Sequence, residues 1–169
     1  MDAISQTRLA LINPRFSDTI EHLAELLEAE GIVIRVTQGL RSWQQQAVLY
    51  AQGRTQPGNI VTNAPPGHSW HQFGLAVDVA PFDAQGSPDW NSNDAQWKRI
   101  IGLGESLGLV SGSTFIHCPD NPHFQMTGIF PESPNDEVRQ IFLGAGMSEV
   151  WKEAGLFDTD SDSPETLST

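Results

Sequence analysis

The chain has 169 residues, 38% hydrophobic and 18% charged, enough for one domain with a real hydrophobic core. Acidic residues outnumber basic ones by 21 to 9, a net charge of -12. That balance excludes a nucleic-acid phosphate backbone as partner and gives no attraction to an anionic membrane surface. A single cysteine, Cys118, excludes an internal disulfide framework and a Cys-rich zinc site.

The opening MDAISQTRLALINPRF lacks the basic start and apolar run of a secretory signal, so synthesis and folding in the cytosol are expected. No stretch approaches the apolar length that inserts across a bilayer. SDTIEHLAELLEAEG reads as an amphipathic helix, with Ile20, Leu23, Leu26 and Leu27 at helical spacing and Gly31 closing it. Ile32 to Thr37 reads as a strand. SWQQQAVLYAQG reads as a second helix, with Ser42 and Gln45 at capping-box spacing and Gly53 ending it.

RTQPGNIVTNAPPGH, Arg54 to His68, is rich in Pro, Gly and Asn and reads as a loop long enough to be functional. GLAVDVA follows as a strand, with Leu75, Val77 and Val79 on one face and Ala76, Asp78 and Ala80 on the other. Another loop, PFDAQGSPDWNSND, leads into a helix from about Ala95 to Leu107. A strand pair is expected around Val110 to Phe115 and His123 to Met126. A helix over Asn135 to Leu143 and a short one in SEVWKEAG complete the pattern. Residues 1–155 form the expected domain, and 156–169 an acidic, apolar-poor tail expected to be disordered. Helices and short strands without regular parallel alternation indicate an α+β fold, a small antiparallel sheet with flanking helices.

Asp78 in mid-strand raises a chemical question, because a buried carboxylate is costly unless something positive meets it. A catalytic zinc site takes three His or carboxylate ligands and leaves one position open. His71 and Asp78 supply two, and His123, at the edge of a strand, a third. Asp120, three residues before His123 and across a proline, can serve as base for a water. Arg41, between a strand and a capped helix, can steady an oxyanion or a substrate carboxylate. Other roles stay open on spacing alone. Asp78 can cap a turn, His71 and His123 can be core histidines, Asp120 can form a turn, and Arg41 can sit in a surface ion pair.

Three ordered segments, GLRSWQQQAVLYAQGRT, VTNAPPGHSWHQFGLAVDVAPFD and PDNPHFQ, resemble the M15 family of zinc peptidases over roughly residues 10–127. The S-x-H-x-x-G-x-A-x-D pattern is met by Ser69, His71, Gly74, Ala76 and Asp78. The D-x-P-H pattern is met by Asp120, Pro122 and His123. The R-S-x-x-x-Q-x-x-L-Y segment is met by Arg41, Ser42, Gln46, Leu49 and Tyr50. The likeness is nearest to phage-type L-alanyl-D-glutamate endopeptidases, with D-alanyl-D-alanine carboxypeptidases and dipeptidases as relatives.

This resemblance implies a hedgehog/D-Ala-D-Ala-peptidase-like fold and one Zn2+ held by His71, Asp78 and His123. It implies Asp120 as catalytic base, Arg41 stabilising the reacting carbonyl, and Ser69 and Gln46 as substrate contacts. Trp70, between Ser69 and His71, is expected near substrate. The implied partner is the peptidoglycan stem peptide, cleaved by a monomer that reaches the wall through lysis or a membrane pore. A D-alanyl-D-alanine carboxypeptidase or dipeptidase, or a wall-binding module that keeps the metal site and has lost turnover, are the alternatives. Two departures bear on the groove: Phe115 where many relatives carry Trp, and Gln44 and Gln45 where many are acidic. His68 is expected to be a loop residue or groove contact, His117 a neighbour of the site or exposed, His22 solvated, and Cys118 a packed or half-exposed thiol.

Overall fold

The structure, a computed structural model, describes residues 1–90, 94–116 and 119–157. His117, Cys118, Asn91 to Asn93 and all but the first two residues of the expected tail lie outside it.

The first element is one the sequence pattern did not announce. Helix α1, Ala3–Leu9, is capped by the Asp2 side chain, which accepts from the Ser5 amide. Helix α2, Pro14–Ala29, starts with Asn13 as cap and proline in its first turn, where the missing N–H costs nothing. Its buried stripe is Phe16, Ile20, Leu23, Ala24 and Leu27. Gly31, at φ 81°, takes the left-handed turn out of the helix.

Four strands form one antiparallel sheet in the order β1-β2-β4-β3: β1 Ile34–Gln38, β2 Ala76–Pro81, β3 Val110–Ser111 and β4 His123–Gln125. The register sets Asp78 opposite His123, and opposite Gln38 across a bulge in β1 between Val36 and Gln38. Helix α3, Trp43–Ala51, has the full capping box of Ser42 and Gln45. Helices α4, Asp94–Ser106, α5, Asp136–Ala145, and α6, Met147–Glu153, follow.

Two apolar clusters hold these elements. One joins α2 and α4 to the sheet through Phe16, Ile20, Leu23, Val36, Val79 and Phe124. The other packs Trp70, Phe73, Leu75, Val138 and Val150 beneath α5 and α6. Each fully buried large side chain contributes about 1.5–3 kcal/mol of transfer free energy. The exposed edge of β1 is covered by α1: the Ser5 hydroxyl accepts the Val36 N–H at 3.0 Å, and the Arg8 guanidinium donates to the Val36 carbonyl. No described helix is long and apolar enough to cross a membrane.

Two expectations need correction. The strand expected over Val110 to Phe115 stops at Ser111, because Gly112–Thr114 winds into a 3-10 turn with the Ser111 hydroxyl accepting the Ser113 amide. Leu156, placed with the tail, is buried in the second cluster, and its carbonyl accepts from the Asn13 side chain at 3.0 Å.

Candidate metal centre

His71 lies on a 3-10 turn, Trp70–Phe73, between the long loop and β2. Gly74 ends that turn at φ 64°, a left-handed position, and returns the chain into β2, where Asp78 sits. His123 opens β4 directly across from Asp78. The sheet register and one tight turn therefore bring the three side chains together.

His71 Nε2 stands 3.2 Å, and His123 Nδ1 3.4 Å, from the same Asp78 oxygen, Oδ1. One ligand atom from each residue falls within 4.8 Å of the others. The opposite ring nitrogens are committed elsewhere. His71 Nδ1 lies 2.9 Å from the Gly39 carbonyl, and His123 Nε2 lies 3.0 Å from the Gln125 amide oxygen. Each acceptor calls for an N–H, so in the neutral rings the nitrogens facing Asp78 carry the lone pairs. Asp78 Oδ1 accordingly is buried without a hydrogen-bond partner. Three lone-pair donors facing one another across an orphaned carboxylate oxygen form a cradle for a cation. Tetrahedral ligands about 2.0–2.1 Å from zinc lie roughly 3.3 Å apart, and the two His–Asp separations match that spacing.

Burial alone would raise the Asp78 carboxyl, but the His71 and His123 rings hold it well below the usual carboxylate range. Burial would lower His123, yet the Asp78 carboxylate raises it, so without a cation the site draws a proton there. Burial pushes Asp120 up, and the Asp78 charge adds to it, against weaker opposition from His123, His71 and Arg41. Burial lowers the Arg41 guanidinium, with Asp78 and Asp120 opposing. Arg41 Nη2 lies 3.7 Å from Asp78 Oδ2.

Asp120 is positioned through its backbone. Its N–H donates to the Gly112 carbonyl at 2.9 Å, and its own carbonyl accepts from the His123 amide at 3.2 Å. Gly112 is required there by space, since a Cβ would lie 2.7 Å from the Asp120 carbonyl oxygen and 2.8 Å from His123 Cβ. Phe115 packs against the His123 ring, with centroids 5.5 Å apart. Ser69 is half-buried before the 3-10 turn, and its hydroxyl makes no capping bond.

Two residues expected to touch substrate do not face the cleft. Trp70 is 2% exposed, packed edge-on to Phe73 and stacked on Phe130 in the second core, because its indole N–H reaches inward to the Glu132 carbonyl. Gln46 is wholly buried: its amide oxygen accepts from Arg41 and its amide nitrogen donates to the Ala64 carbonyl. Gln125, Gly39 and Gly112 serve the site without having been singled out. The capacity of the Gln125 side chain was visible two residues after His123, but a main-chain carbonyl such as that of Gly39 leaves no mark in sequence. His22 is exposed on α2 beside Glu25, and exposed His68 lies 3.4 Å from the Arg139 guanidinium. Beside Arg41 runs a groove of about 640 Å³, lined by Gln38, Ser42, Gln44, Gln45, Val48 and Leu49.

Comparison with known proteins gives the chain a family. Residues 10–101 match the family model described as VanY, D-alanyl-D-alanine carboxypeptidase. The chain is 33% identical over 122 residues to the peptidoglycan L-alanyl-D-glutamate endopeptidase CwlK of Bacillus subtilis (strain 168), covering 68% of this chain and 73% of that protein. Its fold resembles the Serratia marcescens L-Ala D-Glu endopeptidase ChiX, with a TM-score of 0.55 and 25% identity over 75% of this chain and 89% of that one. It also resembles a VanY vancomycin-resistance D,D-pentapeptidase determined with Zn(II), at TM-score 0.52 and 20% identity over 82% and 83% of the chains, a likeness of fold. Sequence match and fold agree, and the chain belongs to the VanY D-alanyl-D-alanine carboxypeptidase family.

Proposed function

We propose that the protein is a zinc-dependent peptidoglycan hydrolase that cleaves the stem peptide, at the L-alanyl-D-glutamate bond. The observation that carries the reading is the convergence of His71 Nε2 and His123 Nδ1 on the orphaned Asp78 oxygen at 3.2 and 3.4 Å, with Asp120 and Arg41 close by. Two imidazoles and one carboxylate are a donor set suited to zinc with a position left open. When bound there, zinc supplies Lewis acidity and lowers the pKa of a water towards neutrality.

The chain's own residues do the rest. Asp120, held by Gly112, takes the proton from the attacking water and returns it to the leaving amine. Arg41 faces the charge that develops on the peptide carbonyl oxygen. Its orientation comes from Gln46, which fixes Nη1 and leaves Nη2 turned to the site. The groove beside Arg41 receives the extended peptide.

An internal bond is favoured over a terminal one. The kinship with CwlK, an L-alanyl-D-glutamate endopeptidase, supports the same bond. Monomeric action on the wall, after lysis or through a pore, completes the proposal.

The test is digestion of purified peptidoglycan with mass-spectrometric identification of the new ends, alongside chelator, restored zinc and Asp120→Ala. New D-glutamate amino termini that vanish with chelator and with Asp120→Ala are the expected result. Release of free D-alanine instead would assign the carboxypeptidase reaction. Stoichiometric zinc without any cleavage would point to a wall-binding module.

A further inference from the structure

We infer that Gln125, steered by the Glu132 carbonyl and Trp70, is a positioning residue that sets the tautomer of His123 and thereby the metal affinity of the site. This rests on the reading of His123 as a metal ligand.

The chain of contacts is unbranched up to one shared acceptor. The Gln125 amide nitrogen donates to the Glu132 carbonyl at 2.9 Å. That bond decides which way the amide faces, because only its NH2 end can donate to a carbonyl. The amide oxygen is thereby turned to His123 Nε2, 3.0 Å away. An oxygen there accepts a proton and offers none, so Nε2 carries the ring N–H and Nδ1 keeps its lone pair towards Asp78. With the amide reversed, an NH2 would face Nε2 and move the ring proton onto Nδ1, the nitrogen that has to bind.

The Glu132 carbonyl is itself held. The Trp70 indole N–H donates to it at 2.9 Å. Trp70 and Gln125 are both 2% exposed, so neither exchanges this partner for water. Two ligand-bearing segments, Trp70–His71 and His123–Gln125, thus meet on one main-chain oxygen of the segment after β4. His71 has no side-chain counterpart to this arrangement, its distal nitrogen resting on a backbone carbonyl.

The measurement uses the full chain. First, 15N NMR of the metal-free protein, at a pH where the ring is neutral, is expected to show His123 as the Nε2–H tautomer. Second, zinc titration against a chromophoric chelator is expected to show Gln125→Met binding roughly 10–100-fold more weakly than the native chain, the usual cost of losing an outer partner. Gln125→Glu, which keeps an acceptor, is expected to restore the tautomer and most of the affinity. Trp70→Phe, which keeps the packing and removes the N–H, is expected to weaken zinc a few-fold. An Nδ1–H tautomer in the native protein overturns the inference, and so does a folded Gln125→Met with zinc affinity within twofold of native. The tautomer is read without metal. A native chain that bound no zinc would fail the metal-site reading and with it the link to affinity, whereas an Nδ1–H tautomer in a chain that binds zinc would overturn this inference alone.

Discussion

Arg41 donates through Nη1 to the buried Gln46 amide oxygen at 2.9 Å, and the other end of the same amide donates to the Ala64 carbonyl at 2.7 Å. One side chain therefore joins the guanidinium that faces Asp78 to the long loop after α3. Gln46→Leu keeps the volume and removes both bonds. We expect kcat on peptidoglycan fragments to fall roughly tenfold to a hundredfold, with zinc affinity unchanged. The half-buried Ala64 carbonyl left without its donor costs about 1 kcal/mol of stability. Steady-state kinetics, zinc titration and chemical denaturation read the three effects separately.

Asp120→Asn removes the proton acceptor and keeps the shape of the residue. Turnover is expected to drop by about 10²–10⁴-fold, the usual contribution of a positioned general base. Zinc stoichiometry is expected to remain at one, measured on the purified variant. Loss of the metal together with the activity would show that Asp120 acts as a ligand.

Gly112→Ala tests how the loop is held. The added methyl would press on the Asp120 carbonyl oxygen and His123 Cβ, both closer than any ordinary contact. Activity and zinc affinity are expected to fall together, and overpacking of this kind costs about 1–3 kcal/mol. Fragment kinetics and thermal unfolding of the metal-free protein are the measurements.

Zinc and protons compete for the same imidazole nitrogens. Burial lowers His123, but the Asp78 carboxylate outweighs that and raises it. A ring with a raised pKa gains its proton at higher pH as the solution is acidified. Zinc affinity should therefore begin to fall above the ordinary imidazole value of about 6.5, and go on falling below it. Competitive titration from pH 8 to 5 checks the sign; affinity constant across that range would contradict it.

The capped and periodic elements were legible from residue types alone. Asn135, Ser42 and Gln45 sit at helix starts as expected, and the buried stripe of α2 follows its leucines. Helix α1 was not legible, because seven residues of mixed polarity give too short a period to recognise and the helix depends on β1 for its partners. The 3-10 turn that carries His71 leaves no periodic signal either. At the site, the motif brought together the residues that converge, but adjacency within a motif does not say where a side chain points. Trp70 follows Ser69 directly and turns into the core, and Gln46 lies one helical turn beyond Ser42 and turns beneath Arg41.

Helix α1 lies before the first residue of the family match, yet it reaches the metal centre in two steps. The Arg8 main chain packs on Gly39, where even a methyl group would sit 3.2 Å from the Arg8 carbonyl oxygen. The carbonyl of Gly39 in turn holds the His71 ring. A protein trimmed to residue 10, where the family match begins, would keep every side chain of the site and lose the brace behind one of them. Its deficit would surface as weak metal retention, and it would be misread as a fault of the site itself.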